Sequence, residues 1–177
     1  MTDRQLTEII RIVPDFPSKG IQFFDVTTLF KDPAAFAEVV DRICKFYEGK
    51  GITKVAGVES RGFIAGAAIA ARLGAGFVPI RKPGKLPAAT FSMSYEKEYG
   101  RDSIEMHSDA IGPDDVVLIH DDILATGGTF NAAVALVRKF APREVYANFI
   151  IDITDVPRAP LPEGLEVTAV LHLAERP

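Results

Sequence analysis

The chain has 177 residues, 47% of them hydrophobic, which is enough for one compact domain with a sizeable core. A formal net charge of −4 argues against nucleic-acid binding, because neutralising phosphates usually requires a basic face. The single cysteine, Cys44, excludes an internal disulfide and predicts a soluble protein of the reducing cytoplasm, and the most apolar run, residues 62–71, is too short to cross a membrane.

Apolar residues at helical spacing predict the first two elements. Residues 6–13 form one such pattern, and Pro14 is expected to end that helix. The pair Asp32-Pro33 has the order of a helix N-cap followed by proline in the first turn. A second helix is therefore expected from this pair to Gly49.

Apolar runs and helical patterns alternate through the rest of the chain. Strands are predicted over residues 52–58, 77–80, 115–120, 145–151 and 167–171, with helices over 62–73 and 127–140. Between residues 83 and 113 the alternation of Phe91, Met93 and Tyr95 predicts a projecting hairpin or mobile loop. This order predicts one α/β domain with a doubly wound, mainly parallel sheet.

Residues 116–129, VVLIHDDILATGGT, carry the most specific pattern. An apolar strand is predicted to deliver Asp121 and Asp122 to its end, and small residues then turn the chain into a helix. Such a turn lets backbone N–H groups close on a phosphate, whereas the acids suit sugar hydroxyls or magnesium. An ordinary strand end with a tight turn is the alternative. The loop residues are Ala125, Thr126, Gly127, Gly128 and Thr129.

This strand, acid pair and turn resemble the signature of the phosphoribosyltransferase family. The resemblance implies that Asp121 and Asp122 bind the ribose hydroxyls of phosphoribosyl pyrophosphate (PRPP) and that the loop binds its 5′-phosphate. Neither GxxxxGK[ST] nor GxGxxG occurs, so the usual loops of Walker-type nucleotide hydrolysis and of dinucleotide binding are absent.

Two further segments predict positive charge near the same sheet edge. Residues 55–63 repeat the order of strand, turn and helix, with Ser60 and Arg61 at the turn. Three cations, Arg81, Lys82 and Lys85, follow the next predicted strand. Charge-assisted donors at this edge would suit a pyrophosphate, although on spacing alone both segments also fit solvated loops.

Five motifs in order narrow the resemblance to the adenine phosphoribosyltransferase family and cover nearly the whole chain. They are DFPSKGIQFFDVT from Asp15, KDP from Lys31, ESRGF from Glu59, RKPGKLP from Arg81 and SYEKEYG from Ser94. The resemblance implies a type I phosphoribosyltransferase fold in a single domain, residues 1–177, with a base-binding hood over about residues 1–33 and a flexible loop over about residues 87–106.

The resemblance also implies residue roles. Glu98 would be the catalytic carboxyl near the purine, and Tyr99 a neighbour in the closing loop. Magnesium would be held mainly through PRPP, near Asp121 and Asp122, and the protein would be a homodimer. Pyrophosphate binding is implied for Ser60, Arg61, Arg81, Lys82, Lys85 and Tyr99, and adenine binding for Ile21, Gln22, Phe23, Phe24 and Asp25.

Three residues depart from the family pattern. Phe24 stands where many members have arginine, and Gln22 where many have an aliphatic residue. Because the family recognises adenine largely through backbone groups, the change at Phe24 affects this assignment little. His120 replaces the usual aliphatic residue before the acid pair and is expected to be a polar residue at the end of the strand rather than a base.

Two alternative functions remain open at this point. A regulator that senses PRPP would need a nucleic-acid-binding surface, yet the sequence has neither a helix-turn-helix extension nor a basic stripe. A transferase for guanine, hypoxanthine, xanthine or a pyrimidine would share the donor site. Side chains in one sequence do not separate these bases.

Overall fold

The computed structural model describes residues 1–97 and 100–174. The N-terminal elements are α1 (Asp3–Ile9), β1 (Arg11–Pro14), β2 (Gln22–Asp25), α2 (Thr27–Phe30) and α3 (Pro33–Phe46). They are followed by β3 (Lys54–Val58), α4 (Arg61–Leu73), β4 (Gly76–Ile80), β5 (Thr90–Lys97), β6 (Gly100–His107), β7 (Val116–Leu124), α5 (Gly128–Arg138), β8 (Glu144–Ile153) and β9 (Glu166–Leu173).

Five strands form a parallel sheet in the order β4-β3-β7-β8-β9. The chain builds outward from β3 to β4 on one side, then returns to β7 on the other side and continues to β9. The strand order therefore reverses between β3 and β7, and such a switch point is where open α/β sheets bind ligands. The predicted doubly wound parallel sheet is confirmed.

Both faces of the sheet are covered, which explains why its strands read as continuous apolar runs. In β7, Val116 and Leu118 pack on the face that carries α3 and α4. The alternate residues Val117 and Ile119 pack on the opposite face, with the buried side of α5. The central strand is thereby fixed by packing on two sides.

The first helix is shorter than its apolar spacing predicted. Thr2 caps α1 in a reciprocal pair with Gln5, but the helix ends at Ile9 because Ile10 is extended. Val13 instead pairs with Phe23 in the antiparallel ladder of β1 and β2. The prediction that Pro14 ends this helix was wrong, since the helix ends at Ile9 and strand pairing begins at Arg11.

The second helix begins as predicted. Asp32 accepts hydrogen bonds from the backbone N–H groups of Ala34 and Ala35, both at 2.9 Å, and Pro33 stands in the first turn. Capping of these otherwise unpaired donors fixes the helix start. The helix ends at Phe46, three residues before Gly49.

Strands β5 and β6 form the predicted hairpin, in an antiparallel register. Ile104 and Met106 of β6 are buried in the core that includes α5, and Arg81 exchanges backbone hydrogen bonds with Glu105 at 2.9 and 2.7 Å. The hairpin is thus anchored at its base, while the mobility expected of residues 87–106 stays a prediction. Among the helices of the described ranges, none combines the length and apolar character needed to span a membrane.

Candidate functional site

The acid pair lies at the switch point, in the part of β7 that extends beyond β3. The last pair between these strands joins Gly57 to His120, whereas pairing with β8 continues to Leu124. The strand was predicted to end at His120, but it continues to Leu124 because β8 still pairs with it. Asp121 and Asp122 lie in this extension, beside the start of α4.

A cavity of about 300 Å³ lies against the extension. It collects residues from five separate segments of the chain, and seven of the predicted site residues meet there. Its lining residues are Val58, Glu59, Ser60, Arg61, Ile80, Arg81, Lys82, Tyr95, Ile104, Asp121, Asp122 and Thr129.

A second cavity, of about 130 Å³, lies at the turn that follows β7. All five predicted loop residues, Ala125 to Thr129, line it. Asp121 and Thr129 line both cavities, which are therefore neighbours. An elongated ligand with an anionic group at each end would have one group in each cavity.

Helix N-termini supply unpaired backbone donors to both cavities. Gly127, the N-cap of α5, has φ +83°, a left-handed conformation that favours glycine, and no side chain caps this helix. Ser60, the N-cap of α4, likewise makes no capping hydrogen bond with its side chain. The free N–H groups and the partial positive charge of each helix start favour anions there.

Arg61 connects the acid pair to the N-terminal segment. Its Nε donates a hydrogen bond to Oδ2 of Asp122, which is 4% exposed, whereas the side chain of Arg61 is 37% exposed, so only the carboxylate end of the ion pair is shielded from water. The guanidinium also lies 5.2 Å from the ring centre of Phe23. The terminal nitrogens of Arg61 remain available for a ligand, since Nε alone makes the contact with Asp122.

The two acids differ in their surroundings. Burial and the adjacent Asp122 carboxylate raise the pKa of Asp121 well above its ordinary value. Asp121 also accepts a hydrogen bond from the backbone N–H of Asp122 at 2.9 Å. Because Asp122 is paired with Arg61, the two carboxylates are not equivalent.

Glu59 organises the cations that follow β4, a role that the sequence did not indicate. Its Oε2 accepts from Nε of Arg81 at 2.9 Å and from the backbone N–H of Lys82 at 3.0 Å. The side chain of Lys85 is exposed and does not line the cavity, but its carbonyl accepts from Nη1 of Arg81 at 3.1 Å. Arg81 and Lys82 are thus brought to the site, whereas Lys85 is not.

The hairpin contributes two further residues that sequence reasoning missed. Lys82 forms an ion pair with Asp102 of β6 and lies 3.4 Å from the hydroxyl of Tyr95 in β5. The Tyr95 hydroxyl also accepts a hydrogen bond from Oγ1 of Thr129 at 3.1 Å. Burial alone would lower the pKa of Lys82, but its hydrogen bonds with Asp102 and Tyr95 raise it.

The predicted base-binding segment starts at Ile21 and continues through β2. Successive side chains of this strand point to opposite sides. Phe24 is buried in the core, whereas the ring of Phe23 faces Arg61 and packs edge-on against Phe16 at 5.1 Å. Leu29 is also fully buried, so Phe24 and Leu29 both belong to the core.

Three other residues of this segment have distinct positions. Ile21 is exposed and Gln22 is half-buried. Asp25 accepts hydrogen bonds from Oγ1 and the backbone N–H of Thr27 at 2.6 and 3.0 Å, which lower the pKa of Asp25. The predicted catalytic residue Glu98 and its neighbour Tyr99 lie outside the described residues.

His120 is fully buried, which differs from the expected polar strand-end residue. It faces Asn148 of β8 in register, and Asn148 donates to Thr168 of β9. Within residues 1–97 and 100–174, neither ring nitrogen of His120 has a hydrogen-bond partner. Burial lowers its pKa to about 4, so the ring is neutral at pH 7.

The carboxylates at the site suit magnesium only together with a ligand. In the described part of the chain, no group of three or more His, Cys, Asp or Glu residues could hold a metal ion. Magnesium commonly uses one or two carboxylates and completes its shell with substrate phosphates and water. Asp121 and Asp122 fit that arrangement.

Comparison with known proteins places this site in a family. Residues 25–157 match the family described as the phosphoribosyl transferase domain. The adenine phosphoribosyltransferase of Bacteroides fragilis is 58% identical over 156 residues, which are 88% of each chain. The crystal structure of adenine phosphoribosyltransferase from Rhodothermus marinus is 47% identical, with a TM-score of 0.91, and the match covers 97% of this chain and 98% of that one.

A third relative carries a ligand. The structure of the APRTase from Giardia lamblia, complexed with 9-deazaadenine, is 36% identical, with a TM-score of 0.85. The match covers 97% of this chain and 98% of that one. Its ligand is an analogue of a purine base.

Proposed function

Because the chain belongs to the phosphoribosyltransferase family, we propose that it transfers the phosphoribosyl group of PRPP to adenine, giving AMP and pyrophosphate. The observation that carries this proposal is the pair of adjoining cavities, which share Asp121 and Thr129. Relatives that align over most of the chain are named adenine phosphoribosyltransferases. A PRPP-sensing regulator is therefore not favoured.

The two cavities suit the two anionic ends of PRPP. The 5′-phosphate would bind the loop from Ala125 to Thr129 through backbone N–H groups and threonine hydroxyls. The pyrophosphate would bind the larger cavity, beside Ser60, Arg61, Arg81 and Lys82. The ribose would then lie between them, with its hydroxyls at Asp121 and Asp122.

Departure of pyrophosphate is the difficult step, because positive charge develops on the ribose as negative charge develops on the leaving oxygens. Arg61, Arg81 and Lys82 would stabilise those oxygens, and the loop would hold the sugar in line with the base. Magnesium, bound with PRPP near Asp121 and Asp122, would supply further positive charge to the leaving group. Inversion at the anomeric carbon follows from attack opposite the leaving group.

Adenine would bind at β2, in the predicted hood. Among the described residues, β2 pairs only with β1, so no second strand covers its other edge, where the base would bind. Phe23 offers an aromatic surface beside Arg61. Burial of Phe24 supports recognition by the backbone at that position, because its side chain packs in the core and does not face the site.

Glu98 would interact with adenine N7 and help manage the proton lost as N9 becomes bonded. Tyr99 would act beside it, and Lys85 would meet the pyrophosphate only if its exposed side chain turns inward. Closure of residues 87–106 over the site would keep water from the electrophilic sugar. The buried Ile104 and Met106 would confine this movement to the part of the hairpin beyond them.

We also propose a homodimer that acts in the cytoplasm. The lone Cys44 suits a reducing compartment, and burial raises the pKa of its thiol, which suits a packing role. Light scattering of the purified protein tests the subunit number. A mass equal to one chain at working concentrations would contradict the dimer.

The assay for function is direct. The protein is incubated with magnesium, PRPP and one base at a time, and nucleotide products are separated by chromatography. We expect AMP from adenine, with much slower reaction of guanine, hypoxanthine, xanthine and uracil. A faster reaction with another base would reassign the acceptor, and PRPP binding without any product would support the regulator instead.

Two variants test the proposed roles within this assay. Replacement of Glu98 by alanine should lower kcat about 100-fold or more with little change in PRPP affinity, because a general acid or base commonly contributes that much. The matched control is Glu96→Ala, which removes an exposed carboxylate of the same hairpin. An unchanged rate for Glu98→Ala would remove Glu98 from the chemistry.

The acid pair is tested by replacing Asp121 and Asp122 together by alanine. We expect a severe loss of PRPP affinity, measured by calorimetry. Replacing the exposed Asp109 and Asp114 in the same way removes two carboxylates elsewhere and is the control. Near-normal PRPP binding by the first variant would contradict the ribose-binding role.

A further inference from the structure

We propose that Arg158 is a positioning residue for the phosphate-binding loop, and that its side chain turns the carbonyl groups of Leu124 and Ala125, where β7 enters that loop, away from the ligand. This inference rests on the proposed role of residues 125–129 in binding the 5′-phosphate of PRPP. Arg158 follows β8 in an irregular segment, just outside the residues that match the family.

Arg158 lies directly behind the start of the loop. Its Nε donates to the carbonyl of Ala125 at 2.8 Å, and its Nη2 approaches the carbonyl of Leu124 at 3.3 Å. The next residue, Ala159, donates its backbone N–H to the carbonyl of Thr126 at 3.0 Å. Three carbonyls in sequence thus receive donors from two consecutive residues.

The direction of these carbonyls decides the direction of the loop amides. In a planar trans peptide, the C=O of one residue and the N–H of the next point in opposite directions. The N–H groups of Ala125, Thr126 and Gly127 are therefore turned away from Arg158. Because Arg158 is not among the residues that line the loop cavity, these N–H groups are available to an anion there.

Arg158 is itself held from several sides. It forms an ion pair with Asp152, its Nη2 donates to the carbonyl of Ile153 at 2.6 Å, and its side chain is 20% exposed. Asp152 also lies 3.2 Å from Nδ1 of His172. With its charge paired by Asp152 behind the loop, Arg158 acts through the loop and not as a phosphate ligand.

Gly127 fits the same arrangement. Its φ of +83° favours glycine, and a Cβ added there would lie 3.4 Å from Cγ of Arg158. A Cβ at residue 127 would thus be in van der Waals contact with the stem of Arg158. The glycine of the loop and the arginine behind it form one packing unit.

The experiment measures binding of ribose 5-phosphate, inorganic phosphate and pyrophosphate to Arg158→Gln by calorimetry. Loss of the guanidinium leaves the carbonyls of Leu124 and Ala125 free to reorient, so we expect a rise of about 10-fold or more in the Kd for ribose 5-phosphate. Pyrophosphate affinity should change less than about 2-fold, because that cavity has other donors. In steady state, KM for PRPP should rise while KM for adenine stays the same.

Three variants make the result specific. Arg158→Lys retains the charge but has a single donor nitrogen, so it should recover part of the affinity. Asp152→Asn keeps the shape of the side chain but weakens the ion pair that holds Arg158, so it should give an intermediate loss of affinity for ribose 5-phosphate. This variant tests the proposal if Arg158→Gln does not fold. The matched control is Arg138→Gln, since Arg138 is an exposed arginine that donates to the carbonyl of Glu163, away from the loop.

Thr126→Val together with Thr129→Val separates this inference from the proposed function. If that double variant and the wild type bind ribose 5-phosphate equally, the loop role itself is wrong. If the double variant loses affinity while Arg158→Gln and Asp152→Asn bind as the wild type does, only the role of Arg158 is wrong. If Arg158→Gln weakens the binding of phosphate, pyrophosphate and adenine equally, Arg158 has a general structural role. That result would also overturn its proposed role in positioning the loop.

Discussion

The ion pair between Arg61 and Asp122 joins the start of α4 to the extension of β7, across the point where the strand order reverses. It couples a residue proposed to bind pyrophosphate with one proposed to bind ribose. Arg61 is held at Nε, so its planar terminal nitrogens face the site in one orientation. In the proposed function, the sugar and the leaving group would therefore be recognised by two residues that hold each other in place.

A double-mutant cycle tests this dependence. We expect Arg61→Ala and Asp122→Asn each to weaken PRPP binding, with an interaction energy of about 0.5–3 kcal/mol between them. Calorimetry on the wild type, both single variants and the double variant gives this value. The exposed pair of Arg72 and Asp41, joined at 3.0 Å, is the control and should have no effect on PRPP binding. Additive losses at Arg61 and Asp122 would contradict the coupling.

Tyr95→Phe removes one hydroxyl that contacts both Thr129 and Lys82. We expect KM for PRPP to rise about 3- to 10-fold, since a hydrogen bond is typically worth about 1 kcal/mol and two site residues lose their partner. Steady-state kinetics measure the change. Tyr146→Phe, which removes a hydroxyl bonded to Glu144 outside both cavities, should leave KM unchanged. Equal KM values for PRPP in the two variants would show that the Tyr95 hydroxyl does not support the PRPP site.

Gly62→Ala is expected to harm both folding and binding. An added Cβ would lie 3.0 Å from Oδ1 of Asp121 and 3.0 Å from the carbonyl of His120, so α4 and β7 must separate. The expected loss is about 1–3 kcal/mol of unfolding free energy, with weaker PRPP binding as Asp121 moves. Urea denaturation and calorimetry measure the two effects.

Gly112→Ala is the matched control, because its Cβ would meet nothing closer than 3.8 Å. We expect a change within about 0.5 kcal/mol for this variant. If Gly62→Ala behaves in the same way, the close approach of α4 to β7 does not constrain the acid pair.

His120 should make the ligand-free protein sensitive to acid. Its folded pKa of about 4 lies below the ordinary 6.5, so the unfolded chain binds a proton first as the pH falls. The contribution of neutral His120 to the free energy of unfolding is therefore present above about pH 6.5 and is lost as the pH falls towards 4. Between pH 7.5 and pH 5 the loss is about 2 kcal/mol.

Urea denaturation of the wild type and of His120→Val at both pH values isolates this contribution. Between pH 7.5 and pH 5, the unfolding free energy of the variant should fall by about 2 kcal/mol less than that of the wild type. Carboxylates such as Asp121 titrate in both proteins, so their effect cancels in this comparison. Identical pH dependence would show that His120 is not buried neutral. At pH 7.5 the variant should be as stable as the wild type or more so, because an apolar side chain replaces unsatisfied nitrogens.

Most of the fold could be predicted because burial on both sheet faces leaves a strong mark in the sequence. The apolar residues 116–119 and the capped helix start at Asp32 are local signals, and the structure confirmed them. The ends of α1 and β7 could not be predicted, since they depend on partners elsewhere. Val13 joins a strand because Phe23 pairs with it, and β7 continues because β8 does.

The candidate site divides in a similar way. Asp121, Arg61 and Lys82 were predicted because strand ends and helix starts meet at one edge of a parallel sheet. The roles of Glu59 and Arg158 depend on contacts between segments distant in the chain, and no local pattern indicates them. Arg158 stands in the proline-containing stretch DVPRAP, which reads as an ordinary connection.

The separate two-stranded sheet of β1 and β2 makes the molecule modular. No strand pairing joins it to the five-stranded sheet in the described chain. Changes in β2, where adenine is proposed to bind, therefore leave the strand pairing of the sheet proposed to bind PRPP uninterrupted. If the proposed base-binding segment is exchanged or diverges, preference among bases would change while the proposed sugar site is inherited intact. A transplanted segment must still retain a bulky apolar residue at Phe24 for the shared core and a ring at Phe23 for Arg61.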